Sequence, residues 1–148
     1  MKIGIGADHR GFKKKEFIKK ILFDKGYDVK DFGTDNEESC DYPDIAFSLA
    51  NEVATGRVEK GILICNTGIG MSITANKVKG VYAALCCNED MASAARRHNN
   101  SNVLALGASL VSDKEAEKIV LTWLKGEFEG GRHRRRFEKI RKLSLIHI

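Results

Sequence analysis

Residues 61–73, GILICNTGIGMSI, constrain the fold more than any other stretch. Ile62-Leu63-Ile64-Cys65 is an apolar run of strand length, and such a run belongs in a sheet covered on both faces. Asn66-Thr67-Gly68-Ile69-Gly70-Met71-Ser72 then crowds polar residues and glycines into one turn before a helical pattern begins. Strand, glycine turn and helix start place backbone N–H groups at a positive dipole end, an arrangement that holds anions. Cys65 falls at the strand's carboxyl end, where open α/β sheets bind their ligands.

The rest of the chain repeats this alternation. A strand over 2–7 leads through Asp8-His9-Arg10-Gly11 into a helix over 11–25. Phe17, Ile18, Ile21 and Leu22 give that helix one apolar face, and Gly26 ends it. A second strand covers 27–32. Pro43 suits the first turn of the next helix, with Asp41 as its cap, Ile45, Leu49 and Val53 inward, and Gly56 after it. A helix over 68–78 follows the central strand. Strands over 80–86 and 102–106 flank a helix over 89–98. Ser112 and Glu115 form a capping box for a helix over 113–125, and Gly130-Gly131 precedes a basic helix over 132–143. Five strands alternating with helices predict an α/β fold, a single doubly wound, Rossmann-like domain over 1–142 with a five-stranded parallel sheet and a C-terminal helix. A chain of 148 residues is long enough for one such core. The last six residues, 143–148, are foreign to the basic helix before them and read as a non-native or disordered tail, translated from adapter or vector sequence. No run of 18 apolar residues exists, so no membrane span is expected, and the N-terminus lacks a signal-peptide layout, which points to the cytoplasm.

Five residue groups carry candidate chemistry. Cys65 is either an inert core thiol or, beside a helix start that lowers a thiol pKa from about 8.5 toward neutrality, a base or nucleophile. Cys86 and Cys87 lie in an apolar strand and read as core. Thr67-Gly68-Ile69-Gly70 lets amides approach a ligand or a developing oxyanion. A dinucleotide loop would need a third glycine where Ile73 stands, and Asp8 would repel a pyrophosphate, although Asp31 imitates a ribose-binding acid. Asp8-His9 ends the first strand and can bind sugar hydroxyls or phosphate, or simply cap a helix. His98-Asn99 ends the fourth helix. Arg132 and Arg136, four apart, share a helix face and make a phosphate clamp, or a solvated basic surface. Lys13, Lys14, Lys15, Lys19 and Lys20 read as a solvated helix face. The net charge of +5 suits an anionic partner, but aromatics are only 7% and no nucleic-acid motif accompanies the arginines, which favours a small phosphate over nucleic acid. No cysteine or histidine spacing supports a metal site.

Taken together, the strings Gly6-Ala7-Asp8-His9-Arg10-Gly11-Phe12, Asp41-Tyr42-Pro43, the 61–70 stretch, Ala75-Asn76-Lys77, His98-Asn99, Asn102-Val103-Leu104-Ala105 and Glu129-Gly130-Gly131-Arg132-His133 resemble the type B ribose-5-phosphate isomerases, within the wider family that includes the galactose-6-phosphate isomerase subunits. The resemblance runs from residue 1 to about 142 in family order. It implies a cofactor-free aldose–ketose isomerase of the pentose phosphate pathway, with its site built between the subunits of a homodimer or homotetramer. It implies Cys65 as the base that moves a proton between C1 and C2, Thr67 as the aid to proton movement between O1 and O2, and His98 as the opener of the furanose ring. Amides of the 68–72 turn, Gly68, Ile69 and Gly70 among them, would hold the enediolate. Asp8, His9, Tyr42 and Asn99 would bind the sugar, and Arg132 and Arg136 the phosphate. Some relatives use a glutamate after the turn, where this chain has Met71, so the cysteine type is implied.

Two departures stand out. Asn66 replaces a glycine common in relatives and adds a side chain beside the base, and Ser109 stands where some relatives carry an arginine. Isomerisation of a six-carbon sugar phosphate and a non-catalytic phosphosugar-binding module remain alternative readings.

Overall fold

The computed structural model describes residues 1–143; residues 144–148, and with them all but the first residue of the expected tail, lie outside the described residues. In chain order the elements are β1 (Lys2–Ala7), α1 (Phe12–Asp24), β2 (Asp28–Asp31), α2 (Tyr42–Ala54), β3 (Lys60–Cys65), α3 (Ile69–Ala75), β4 (Ala83–Leu85), α4 (Glu89–Arg97), β5 (Val103–Gly107), α5 (Asp113–Lys125) and α6 (Arg132–Lys142). The five strands form one sheet in the order β2-β1-β3-β5-β4, and every neighbouring pair is parallel. Parallel neighbours need long crossovers, which the helices supply.

Alternation along the strands builds two cores. Ile3, Ile5, Ile62, Ile64, Leu104 and Leu106 pack beneath α1, α4 and α5, around the fully buried Trp123. Leu63, Cys65, Val103 and Ala105 face α2 and α3 through Leu49, Val53, Met71 and Ala75. This is why the 62–65 run is apolar at every position. On the α2 side of β1, a Cβ on Gly4 would press on Phe32 and Leu49, and one on Gly6 would press on Ile45, so these glycines let α2 lie close to the sheet. The chain leaves β1 toward α1 on one face and leaves β3 toward α3 on the other. The carboxyl ends of these adjacent strands therefore frame the switch-point crevice in which such sheets bind ligands.

The structure corrects several local expectations. Asp41 precedes α2 in an extended conformation but makes no side-chain cap bond. Lys15 is fully buried, not solvated: its ammonium donates to Asp31 Oδ2 at 2.6 Å and lies over the Phe12 ring. Asp31, the imitation of a ribose-binding acid, is committed to that lysine and to Lys19 at 2.8 Å. β4 is only three residues long, because Tyr82 N–H donates to Asn102 Oδ1 and Asn76 pairs its side-chain amide with both backbone groups of Ala83. Cys86 is buried, and burial pushes its thiol up to about 12, but Cys87 is exposed and is not core. The helix after the glycine turn ends at Ala75, three residues early. The capping box of Ser112 and Glu115 forms as expected.

Candidate active site

At the carboxyl end of the sheet, Ala7 pairs with Ile64, which sets Asp8 beside Cys65. Asp8 N–H donates to the Ile64 carbonyl at 3.2 Å, and the buried Asp8 carboxylate accepts N–H bonds from Arg10 and Gly11, both at 3.0 Å. His9 Nδ1 accepts from the Cys40 amide at 3.2 Å, which leaves the neutral ring's proton on Nε2. Cys65 ends β3 and is buried, and its sulfur accepts the Gly68 N–H at 3.1 Å. Thr67 Oγ1 accepts the Ile69 N–H at 3.3 Å.

Gly68 is required twice over. Its φ is +81°, and an added Cβ would fall 2.6 Å from Leu85 and 2.8 Å from the Leu106 backbone. An added Cβ on Gly70 would strike the ring of Tyr42, so the first residue of α2 closes over the turn. The Asn66 carbonyl accepts both the N–H of Ser109 at 3.0 Å and its hydroxyl at 2.8 Å, so Ser109 braces the turn from the β5–α5 loop. The amides of Gly70 and Met71, in the first turn of α3, have no hydrogen-bond partner among the described residues. Because α3 has only seven residues, its positive end rests on these individual N–H donors rather than on a long helix dipole.

A second group lies elsewhere. His98 is the C-terminal cap of α4 and Asn99 follows it, both before β5 begins. In a parallel sheet this is the edge opposite Cys65. α5 runs back to that same edge, and α6 starts there, with the His133 ring stacked on His98 at 4.1 Å between centroids. Arg132 and Arg136 are exposed on α6, and neither has an ion-pair partner among the described residues. The candidates thus form two constellations. Asp8, His9, Tyr42, Cys65, Asn66, Thr67, Gly68, Ile69 and Gly70 gather at the carboxyl end, and His98, Asn99, Arg132 and Arg136 at the amino end. Sequence reasoning did not single out Arg97, Glu129 and His133 as a unit with His98. Glu129 and His133 bracket the Gly130-Gly131 pair in sequence, but only folding places them against α4.

A model of the ribose/galactose isomerase family matches residues 3–140. Among solved structures, ribose-5-phosphate isomerase B of Clostridium thermocellum superposes with a TM-score of 0.95 at 51% identity, covering 97% of each chain. The Mycoplasma genitalium enzyme of that name, solved with bound ribulose-5-phosphate, gives a TM-score of 0.92 at 46% identity over 95% of this chain and 94% of that one. Ribose-5-phosphate isomerase B of Escherichia coli is 46% identical over 139 residues, which are 94% of this chain and 93% of the relative. Since both the family model and the full-length relatives span nearly every described element, the chain belongs to the ribose/galactose isomerase family.

Proposed function

We propose that this chain is a cytoplasmic aldose–ketose isomerase that interconverts ribose 5-phosphate and ribulose 5-phosphate through an enediolate, without a cofactor. The observation that carries this reading is the Cys65 sulfur at the switch-point crevice, beside Asp8 and held by the Gly68 N–H, with the Gly70 and Met71 amides of the same turn unpartnered among the described residues. A thiolate held by the Gly68 N–H takes the C2 proton of the open-chain aldose and returns it to C1. The enediolate oxygen meets amides already fixed in place, so no reorganisation accompanies its charge. Thr67 moves the proton between O1 and O2. Asp8, Tyr42 and Asn99 bind sugar hydroxyls. Arg132 and Arg136, with His9 Nε2–H, hold the phosphate, and His98 opens the furanose ring.

These roles span both ends of the sheet, so the site is completed by a second copy of the chain, in a homodimer or a dimer of dimers. Exposed apolar side chains near the Cys65 end support this: Phe47 is 55% exposed, Ile69 51% and Ile73 59%, an arrangement that suits burial against a partner. The relative bound to ribulose-5-phosphate supports the choice of substrate.

The test is Cys65→Ala, assayed on ribose 5-phosphate, allose 6-phosphate and galactose 6-phosphate. Turnover falls by about 10³-fold or more, ribose 5-phosphate binding is retained, and exchange of the substrate C2 hydrogen with solvent stops. Wild-type turnover in this variant would sink the cysteine mechanism. Parent rates higher on a six-carbon substrate would move the specificity, and retained binding with no exchange in the parent would make the chain a binding module.

A further inference from the structure

A cluster of ionisable groups apart from Cys65 stands at the amino end of the sheet. The His98 and His133 rings stack 4.1 Å apart and 10° from parallel. Glu129 Oε1 stands 3.8 Å from Nε2 of each ring. The other carboxylate oxygen is gripped by Arg97, at 2.7 Å from Nε and 2.6 Å from the terminal nitrogen, and Glu129 N–H donates to the Arg97 carbonyl at 3.0 Å. Hydrogen bonding to Arg97 holds the Glu129 carboxyl below its ordinary range. Burial first, then the neighbouring His98 and Arg132, lower His133 below its ordinary value against the pull of Glu129, and Arg136 adds to that lowering.

Two histidines and a carboxylate within 4.8 Å also describe a metal-ligand set. The stacking argues against that use. A metal sits in the plane of each imidazole at about 2.0–2.1 Å, and two parallel rings this far apart have no common in-plane point. The arrangement is instead one that fixes a ring: stacking sets the plane of His98, and an anchored carboxylate sets what faces its Nε2 edge.

We infer that Arg97, Glu129 and His133 are positioning residues that hold His98 for opening of the sugar ring. The inference rests on the assignment of ring opening to His98. Opening moves a proton from the anomeric hydroxyl to the ring oxygen. The C1–O4 bond breaks, its electron pair goes to O4, C1=O1 forms, and O4 takes a proton. One imidazole serves both transfers only if its edge stays aligned with O1 and O4 while the proton is aboard. Glu129 stabilises the imidazolium formed in between, at a distance too long for a hydrogen bond but short enough for an ion pair. The charged and titratable groups around it are Arg97 on its own helix, Glu129 on the connecting segment, and Arg132, His133 and Arg136 on α6.

Ring opening separates from proton transfer at carbon by choice of readout. Ribulose 5-phosphate carries its phosphate on the oxygen that would close a furanose, so it is open-chain, and exchange of its C1 hydrogen with D2O bypasses His98. Glu129→Gln and His133→Ala are expected to lower kcat on ribose 5-phosphate by about 10-fold or more and to change C1 exchange by less than about 2-fold. His133→Phe, which keeps a flat ring on His98, recovers most of the loss. His98→Ala is the reference and shows the same selectivity. If His98→Ala is selective but the Glu129 and His133 variants leave both readouts alone, or lower both equally, the positioning role is wrong and the His98 assignment stands. If His98→Ala itself lowers both equally, the assignment fails and the inference with it.

Discussion

A Cys65→Ala chain and an Arg132→Ala/Arg136→Ala chain, each inactive alone, restore each other if every site draws on two copies. The structure sets the scale. Cys65 is level with Gly107 and Gly61 with Val103, so four residue steps, about 13 Å at 3.3 Å each, separate the two ends of the β3–β5 pair. α6 begins beyond the amino end, beside His98. Six bonds lead from C1 of the open sugar to its phosphorus, about 7 Å at roughly 1.2 Å of advance per bond of an extended chain. The sugar alone falls about 6 Å short of that separation, which favours a site whose Cys65 and arginines come from different copies. In a mixed dimer one site inherits both lesions and the other inherits neither. Random reassortment of equal amounts gives half mixed dimers, each with one intact site in two, so about one quarter of wild-type activity returns. The assay is ribulose 5-phosphate formation after the two purified variants are unfolded together and refolded, with subunit exchange checked by intact mass. A mixture that has exchanged subunits and remains as inactive as its parents would refute the shared site.

Two further perturbations follow. Gly68→Ala forces a left-handed φ on a residue with a Cβ and drives that carbon into the Leu106 backbone, so it costs about 2–4 kcal/mol and most of the activity, read by denaturant melts and turnover together. At Asp31, burial pushes the carboxyl up, but hydrogen bonds from Lys15, Lys19 and the Gly33 N–H outweigh it and leave the folded value below 3.8. A depressed carboxylate contributes stability above its unfolded value and loses it as pH falls through the folded one. Asp31→Asn therefore destabilises by about 1–2 kcal/mol at pH 7, Glu16 remaining as a partner for Lys15, and the gap to the parent closes below about pH 4; melts at pH 7 and pH 3 check it.

Much of this protein is legible locally. The apolar run at 62–65 marks a strand covered on both faces, because no solvated strand tolerates four such residues in a row. Ser112 and Glu115 mark a helix start because the two groups that satisfy each other are three residues apart. Gly26, Gly56 and Gly68 mark turns because each needs a positive φ. That the candidates Asp8, Cys65 and Thr67–Gly70 fall together was legible for the same reason: they come from the ends of two strands and the turn that follows one of them.

Tertiary structure decided what depends on separation in the chain. Lys15 is buried because Asp31, sixteen residues on, arrives beside it, and no local pattern tells it from the solvated Lys13 and Lys20. β4 is short because Asn76 and Asn102 take the bonds its ends would have used. The parallel direction of the strands puts His98 and the start of α6 at the end away from Cys65, and packing of α6 beside α4 brings Glu129 and His133 to His98 across more than thirty residues. Periodicity reports which face of an element meets apolar neighbours; which neighbours those are is set only when the strands choose their order and the helices pack across them.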